Sequence, residues 1–100
     1  MARMKYEILF APEAAQDFKR LSARDRSTVR EAIEKHLRHE PQRMSKSSIK
    51  RLRGISRPQY RLRVGEIRVF YYVIEAKVEV LAIIPKSEAA EWLGKMGEEK

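Results

Sequence analysis

"YRLRVGEIRVFYYV", residues 60–73, decides how this chain is read, because it sets three arginines inside a run that otherwise has strand character. Gly65-Glu66, between Val64 and Ile67, suits a two-residue hairpin turn, with glycine supplying a positive φ at the first position of a type II′ turn. Counting outward predicts Val64 opposite Ile67, Arg63 opposite Arg68, Leu62 opposite Val69, Arg61 opposite Phe70 and Tyr60 opposite Tyr71. Arg61, Arg63 and Arg68 then share one face, while Tyr60, Leu62, Val64, Ile67, Val69, Tyr71 and Val73 form the expected core face. Like charges at cross-strand distance cost about 0.2–1 kcal/mol per pair, so stability alone does not select this pattern. A solvated sheet face is the plain explanation; an anion-binding face is the functional one.

The flanking sequence supplies the rest of a small α+β domain. "KYEILF" (Lys5 to Phe10) alternates as a strand and leads into "APEAA", a helix start with Pro12 in the first turn. Ala14, Phe18 and Leu21 share a face, and Ser22 then caps a second helix in which Val29, Ile33 and Leu37 recur every fourth residue until Pro41. Two amphipathic helices with almost no loop between them form a hairpin that must bury its apolar stripes on a sheet. Residues 41–57 lack periodicity, contain Arg43, Lys46, Lys50, Arg51, Arg53 and Arg57 and no acid, and read as a basic loop with a possible helical turn at Ile49 to Leu52. A last strand, Val78 to Ile84, adds Val78, Val80, Ala82 and Ile84 to the core if its parity matches. That parity leaves Leu81 and Ile83 beside Phe70, Tyr72 and Ile74 on the arginine face. Such a mixed face implies partial cover, by the C-terminal segment or by a partner. "SEAAEWL" follows as a short helix capped by Ser87, with Lys86 and Trp92 at the rim of the arginine surface. The expectation is one domain over residues 1–100: a twisted antiparallel sheet of about four strands, the helical hairpin on one face, and a short C-terminal helix.

Twenty-two Lys+Arg against 14 Asp+Glu give +8, which points to a polyanionic partner: nucleic acid, acidic membrane surface or acidic protein. The chain has no cysteine, which removes disulfides and thiolate metal sites and makes the cytoplasm the default compartment. No run is long enough to span a bilayer, no signal-peptide core precedes the first strand, and Met4 is an alternative start.

Arginines on a rigid sheet hold phosphate in forked geometry and stabilise the charge of a pentacoordinate phosphorus. In RNA cleavage the 2′-hydroxyl is itself the nucleophile, so a protein need only align it, accept its proton and neutralise the phosphate, with no metal or cofactor. His36 and His39 lie on the second helix, away from this face, and read as solvated or helix-end histidines. Proton transfer would fall to Lys or Arg, to Tyr71 or Tyr72, or to a partner. The basic loop offers Lys50, Arg51 and Arg53 for docking on RNA, and Tyr71 and Trp92 are candidates for contact with substrate, against readings of Tyr71 as core and Trp92 as helix anchor.

The stretch "IKRLRGISRPQYRLRVGEIRVFYYVIEAKVEVLAIIPKSEAAEWL", residues 49–93, resembles RelE/ParE-superfamily toxins of bacterial type II toxin–antitoxin modules, most specifically in "LRG" followed by "YRLRVGEIRVFYYV". The resemblance implies ribosome-dependent cleavage of mRNA in the A site and a cognate antitoxin that wraps the toxin in a hetero-oligomer. It implies catalytic roles for Arg61, Arg63 and Arg68, with Lys86 matching the basic residue after the last strand, where arginine is usual. Trp92 stands where RelE-like nucleases carry a tyrosine; an indole stacks but has no hydroxyl to ionise. ParE-type relatives share the fold, poison DNA gyrase and generally lack the basic set, so gyrase inhibition is the alternative. A silent toxin fold that only binds its antitoxin is a further one.

Overall fold

The computed structural model describes residues 4–98. Its elements are β1 (Glu7–Phe10), α1 (Pro12–Arg20), α2 (Ala23–Leu37), β2 (Ile49–Arg51), β3 (Tyr60–Val64), β4 (Ile67–Ile74), β5 (Lys77–Pro85) and α3 (Lys86–Glu98). The α+β architecture is the expected one, with one more strand: a five-stranded sheet in the order β1-β5-β4-β3-β2. The sheet is mixed, since β1 runs parallel to β5 while the other pairs are antiparallel. A parallel pair cannot be closed by a tight turn, and here α1, α2 and three strands separate β1 from β5 in the chain.

Pro12 opens α1, and Ser22 caps α2 by accepting a hydrogen bond from the Asp25 amide at 3.1 Å. The end of α2 is stapled to the approach to β1: Tyr6 N–H donates to the Arg38 carbonyl at 2.7 Å, and Arg38 Nη1 returns a bond to the Tyr6 carbonyl at 2.9 Å. Ala14, Val29, Ile33 and Leu37 from the helices meet Leu62, Val69, Tyr71, Val78 and Val80 from the sheet in the main core. Each fully buried aliphatic side chain there contributes about 1.5–3 kcal/mol relative to exposure.

The β3–β4 register is the one the turn dictates: Arg63 pairs with Arg68, Leu62 with Val69 and Tyr60 with Tyr71. Gly65 has φ +59°, a conformation that side-chain-bearing residues adopt at a cost. Two expectations change. The segment Ile49–Arg51 is an edge strand paired with β3, not a helical turn, because β3 still had an open row of backbone donors and acceptors. On β5, Phe70 pairs with Ala82 but Tyr71 with Val80, leaving Leu81 as the extra residue of a bulge. The bulge reverses parity, so Ile83 joins the main core while Ala82 and Ile84 turn to the other face.

On that face lies α3. Ala89, Trp92 and Leu93 pack on Phe70, Ala82 and Ile84 in a second, smaller cluster, so the C-terminal segment is the cover that the mixed face required. Among the described residues no helix is long and apolar enough to cross a membrane.

Candidate functional site

The hairpin and the edge strand bring four basic side chains to one face. Arg61 pairs with Lys50 on one side and Phe70 on the other, and Arg63 pairs with Arg68, so strand alternation places Lys50, Arg61, Arg63 and Arg68 together. Among the described residues no carboxylate forms an ion pair with any of the three arginines.

The three arginines are not equivalent. Arg63 is exposed. Arg68 is only 5% exposed, and its Nη1 donates to the carbonyls of Gly65 at 2.9 Å and Ile67 at 3.1 Å. It tethers the turn that created the cluster. Arg61 is half-buried, and its Nε is buried without a hydrogen-bond partner. Burial first, and then the charges of Arg68 and Arg63, hold the Arg61 guanidinium below the usual arginine range. A buried donor with no acceptor, repelled by two like charges, gains from any anion that reaches it.

Beside Arg61 lies a recess of about 490 Å³ lined by Lys46, Ser48, Lys50 and Arg61. Lys46 belongs to the basic run of the sequence, but its place next to Arg61 depends on β2, for which three residues give no periodic signal. Arg51 goes the other way. It pairs with Tyr60 on the helical-hairpin side, where its Cζ sits 5.1 Å from the Tyr60 ring centroid and Nη1 donates to the Tyr60 hydroxyl at 3.2 Å. The alternation of β2 thus separates Arg51 from Lys50. Arg53 is exposed in the β2–β3 connection. Lys86, exposed at the first position of α3, donates its backbone N–H to the Glu66 carbonyl at 2.7 Å, which sets it beside the hairpin turn.

The aromatic candidates divide as well. Tyr71, expected in contact with substrate, is corrected to core: it is fully buried on the opposite face, stacks on Tyr60 at 5.5 Å, and donates its hydroxyl to the Pro41 carbonyl. Burial pushes its phenol far up, so it does not ionise there. Trp92 stacks on Phe70 with centroids 4.9 Å apart and planes inclined by 22°. Tyr72 lies on the arginine side of β4 and donates its hydroxyl to Glu79 Oε1. That bond, with burial and the Glu79 charge behind it, raises the Tyr72 phenol and keeps it protonated. Arg57 completes the group, 3.2 Å from Glu79 Oε1 and stacked 4.7 Å over the Tyr72 ring. In the sequence Glu79 reads only as an interruption of an apolar run, and its partner Arg57 lies 22 residues away.

The chain superposes on one chain of the toxin–antitoxin complex RelBE2 from Mycobacterium tuberculosis with a TM-score of 0.69 and 25% identity, over 81% of this chain and 98% of that one. The archaeal RelE–RelB complex from Pyrococcus horikoshii gives a TM-score of 0.67 at 23% identity, over 83% and 97% of the two chains. The RelB–RelE antitoxin–toxin complex from Methanococcus jannaschii gives 0.64 at 21%, over 84% and 96%. No curated protein matches the sequence. Residues 8–90 match the model of the ParE toxin of type II toxin–antitoxin systems, and with the hairpin, its arginines and the α3 cover in place, the chain belongs to that toxin family, within the RelE/ParE superfamily.

Proposed function

We propose that this toxin cleaves messenger RNA in the ribosomal A site. Attack by a 2′-hydroxyl, which gives up its proton, on the adjacent phosphorus forms a 2′,3′-cyclic phosphate and breaks the bond to the 5′-oxygen of the next nucleotide, which takes up a proton from water or the ribosome and leaves as a hydroxyl. The observation that carries the reading is the shared face of Lys50, Arg61, Arg63 and Arg68, with no pairing carboxylate among the described residues and with the unsatisfied Arg61 Nε at its centre. Exposed Arg63 grips the scissile phosphate, Arg61 supplies its unpaired donor to a phosphate oxygen, and Arg68 contributes charge from behind while fixing the turn. Lys86 adds a cation at the rim, and the recess with Lys46 and Lys50 takes a flanking phosphate.

Among the described residues this face has charge and alignment but no neutral-pH base. His36 is on α2, and Tyr72 is a donor to Glu79. The 2′-hydroxyl proton therefore passes to water or to groups of the ribosome, which fits a toxin that works on the ribosome and not on free RNA. Its partner in the resting cell is a cognate antitoxin whose acidic segments match the +8 of this chain, in a cytoplasmic hetero-oligomer like the complexes that the relatives form. Cell-free translation with the purified toxin, followed by primer extension on the message, is the test: A-site cuts support the reading, and intact message sinks it.

The match to a ParE family model favours a second target, DNA gyrase. Loss of supercoiling by purified gyrase, with message left whole, would select it.

A further inference from the structure

A second cavity, of about 610 Å³, opens on the arginine side of the sheet between the start of α1, the strand β5, α3 and the segment before β3. Pro12, Glu13, Arg57, Glu79, Trp92 and Met96 line it. It connects to the arginine cluster through a stack of rings, for Arg61 pairs with Phe70, Phe70 carries Trp92, and Trp92 forms a cavity wall. From Arg61 to Glu79 is two strands across and about two residues along, roughly 12 Å by ordinary strand spacing.

The lining states what fits. The Arg57 charge is already matched by Glu79, and Glu13 adds a second carboxylate, so the cavity disfavours a phosphate. Trp92 and Met96 offer an apolar, polarisable wall for a flat ring. Glu79 Oε1 is fixed by Tyr72 and Arg57, whereas its Oε2 accepts no hydrogen bond from the described residues. A carboxylate held rigidly on a strand, with an arginine beside it, complements a ring that presents adjacent N–H donors on one edge and acceptors on the next. Guanine has that pattern: N1–H and the 2-amino group for Glu79, O6 and N7 for Arg57. Adenine presents an acceptor at N1 and meets the carboxylate with repulsion.

We propose that this cavity is a guanine-binding subsite, which seats a base flanking the cleaved phosphate and gives the toxin its sequence preference. The assignment rests on the RNA-cleaving reading for its biological use, but its test does not. Trp92 is the sole tryptophan, so intrinsic fluorescence of the full-length chain reports on the cavity directly. Guanosine monophosphate is expected to change that fluorescence saturably, and inosine monophosphate, which lacks only the 2-amino group, to bind about tenfold more weakly, the effect of one lost charge-assisted bond. Adenosine monophosphate should bind more weakly than the guanine nucleotide, and inorganic phosphate should leave the signal unchanged. Glu79→Gln, which keeps an acceptor for Tyr72, should erase the difference between guanosine and inosine monophosphates while retaining the native circular dichroism spectrum. Equal binding of the guanine, hypoxanthine and adenine nucleotides overturns the proposal. So does a response to phosphate alone, or a signal that changes only when antitoxin is added. Guanine binding without any mRNA cleavage would remove the nuclease reading and keep the subsite; cleavage without guanine binding would do the reverse.

Discussion

Arg63 and Arg68 face each other across the β3–β4 hairpin, yet one side chain is exposed and the other is 5% exposed and bonded to the carbonyls of the turn. The pair is not two copies of one phosphate ligand. Arg63 is available to a ligand, and Arg68 is part of the frame that presents it.

Replacement of the two should therefore separate stability from function. Arg68→Ala abandons two carbonyls and a buried stem, and should cost about 1–3 kcal/mol, a fall of several degrees in melting temperature. Arg63→Ala should stay within about 0.5 kcal/mol of the parent, or gain slightly as like-charge repulsion is relieved. Both should lower cleavage. Equal melting temperatures for the two variants would show that the tether is idle.

Tyr71 yields a prediction of the opposite kind. Its hydroxyl serves Pro41 deep in the core, so Tyr71→Phe should lower stability by about 1–2 kcal/mol and leave cleavage per folded molecule unchanged. A large drop in cleavage at unaltered stability would return this tyrosine to the reaction.

What the sequence made legible follows local chemistry. Gly65 fixes the hairpin register because a two-residue turn admits few alternatives, and Ser22 and Pro12 mark helix starts by satisfying or lacking an amide donor. A bulge at Leu81 leaves no trace in the apolar run Val80 to Ile84, so unbroken alternation predicts for Ile83 and Ile84 the opposite facing to the one observed. Strand β2 was hidden because three residues cannot display a period, and with it went the separation of Lys50 from Arg51 and the place of Lys46. The Arg57–Glu79–Tyr72 group needs a tertiary contact that no spacing announces.

Acid should weaken the fold through His36. Burial, and secondarily the Lys35 charge, hold its imidazole below the ordinary 6.5, so the unfolded chain takes up the proton more readily than the folded one. The contribution is whole above pH 6.5 and declines as pH falls below it. Denaturant melts from pH 7 down to about pH 5 should show that decline, flattened in His36→Gln. An unchanged slope in the variant would assign the loss to carboxylates instead.

If Arg61 and Arg63 form a phosphate site for RNA cleavage, primer extension on message from a translating extract will report it. The parent chain should give strong stops in the A-site codon, and the Arg61→Ala/Arg63→Ala double variant, folded to the same melting temperature within a few degrees, should lose about a hundredfold or more of that signal. Undiminished cuts by the double variant, or uncut message with the parent, would show that these two arginines are not the phosphate site of an RNA cleavage.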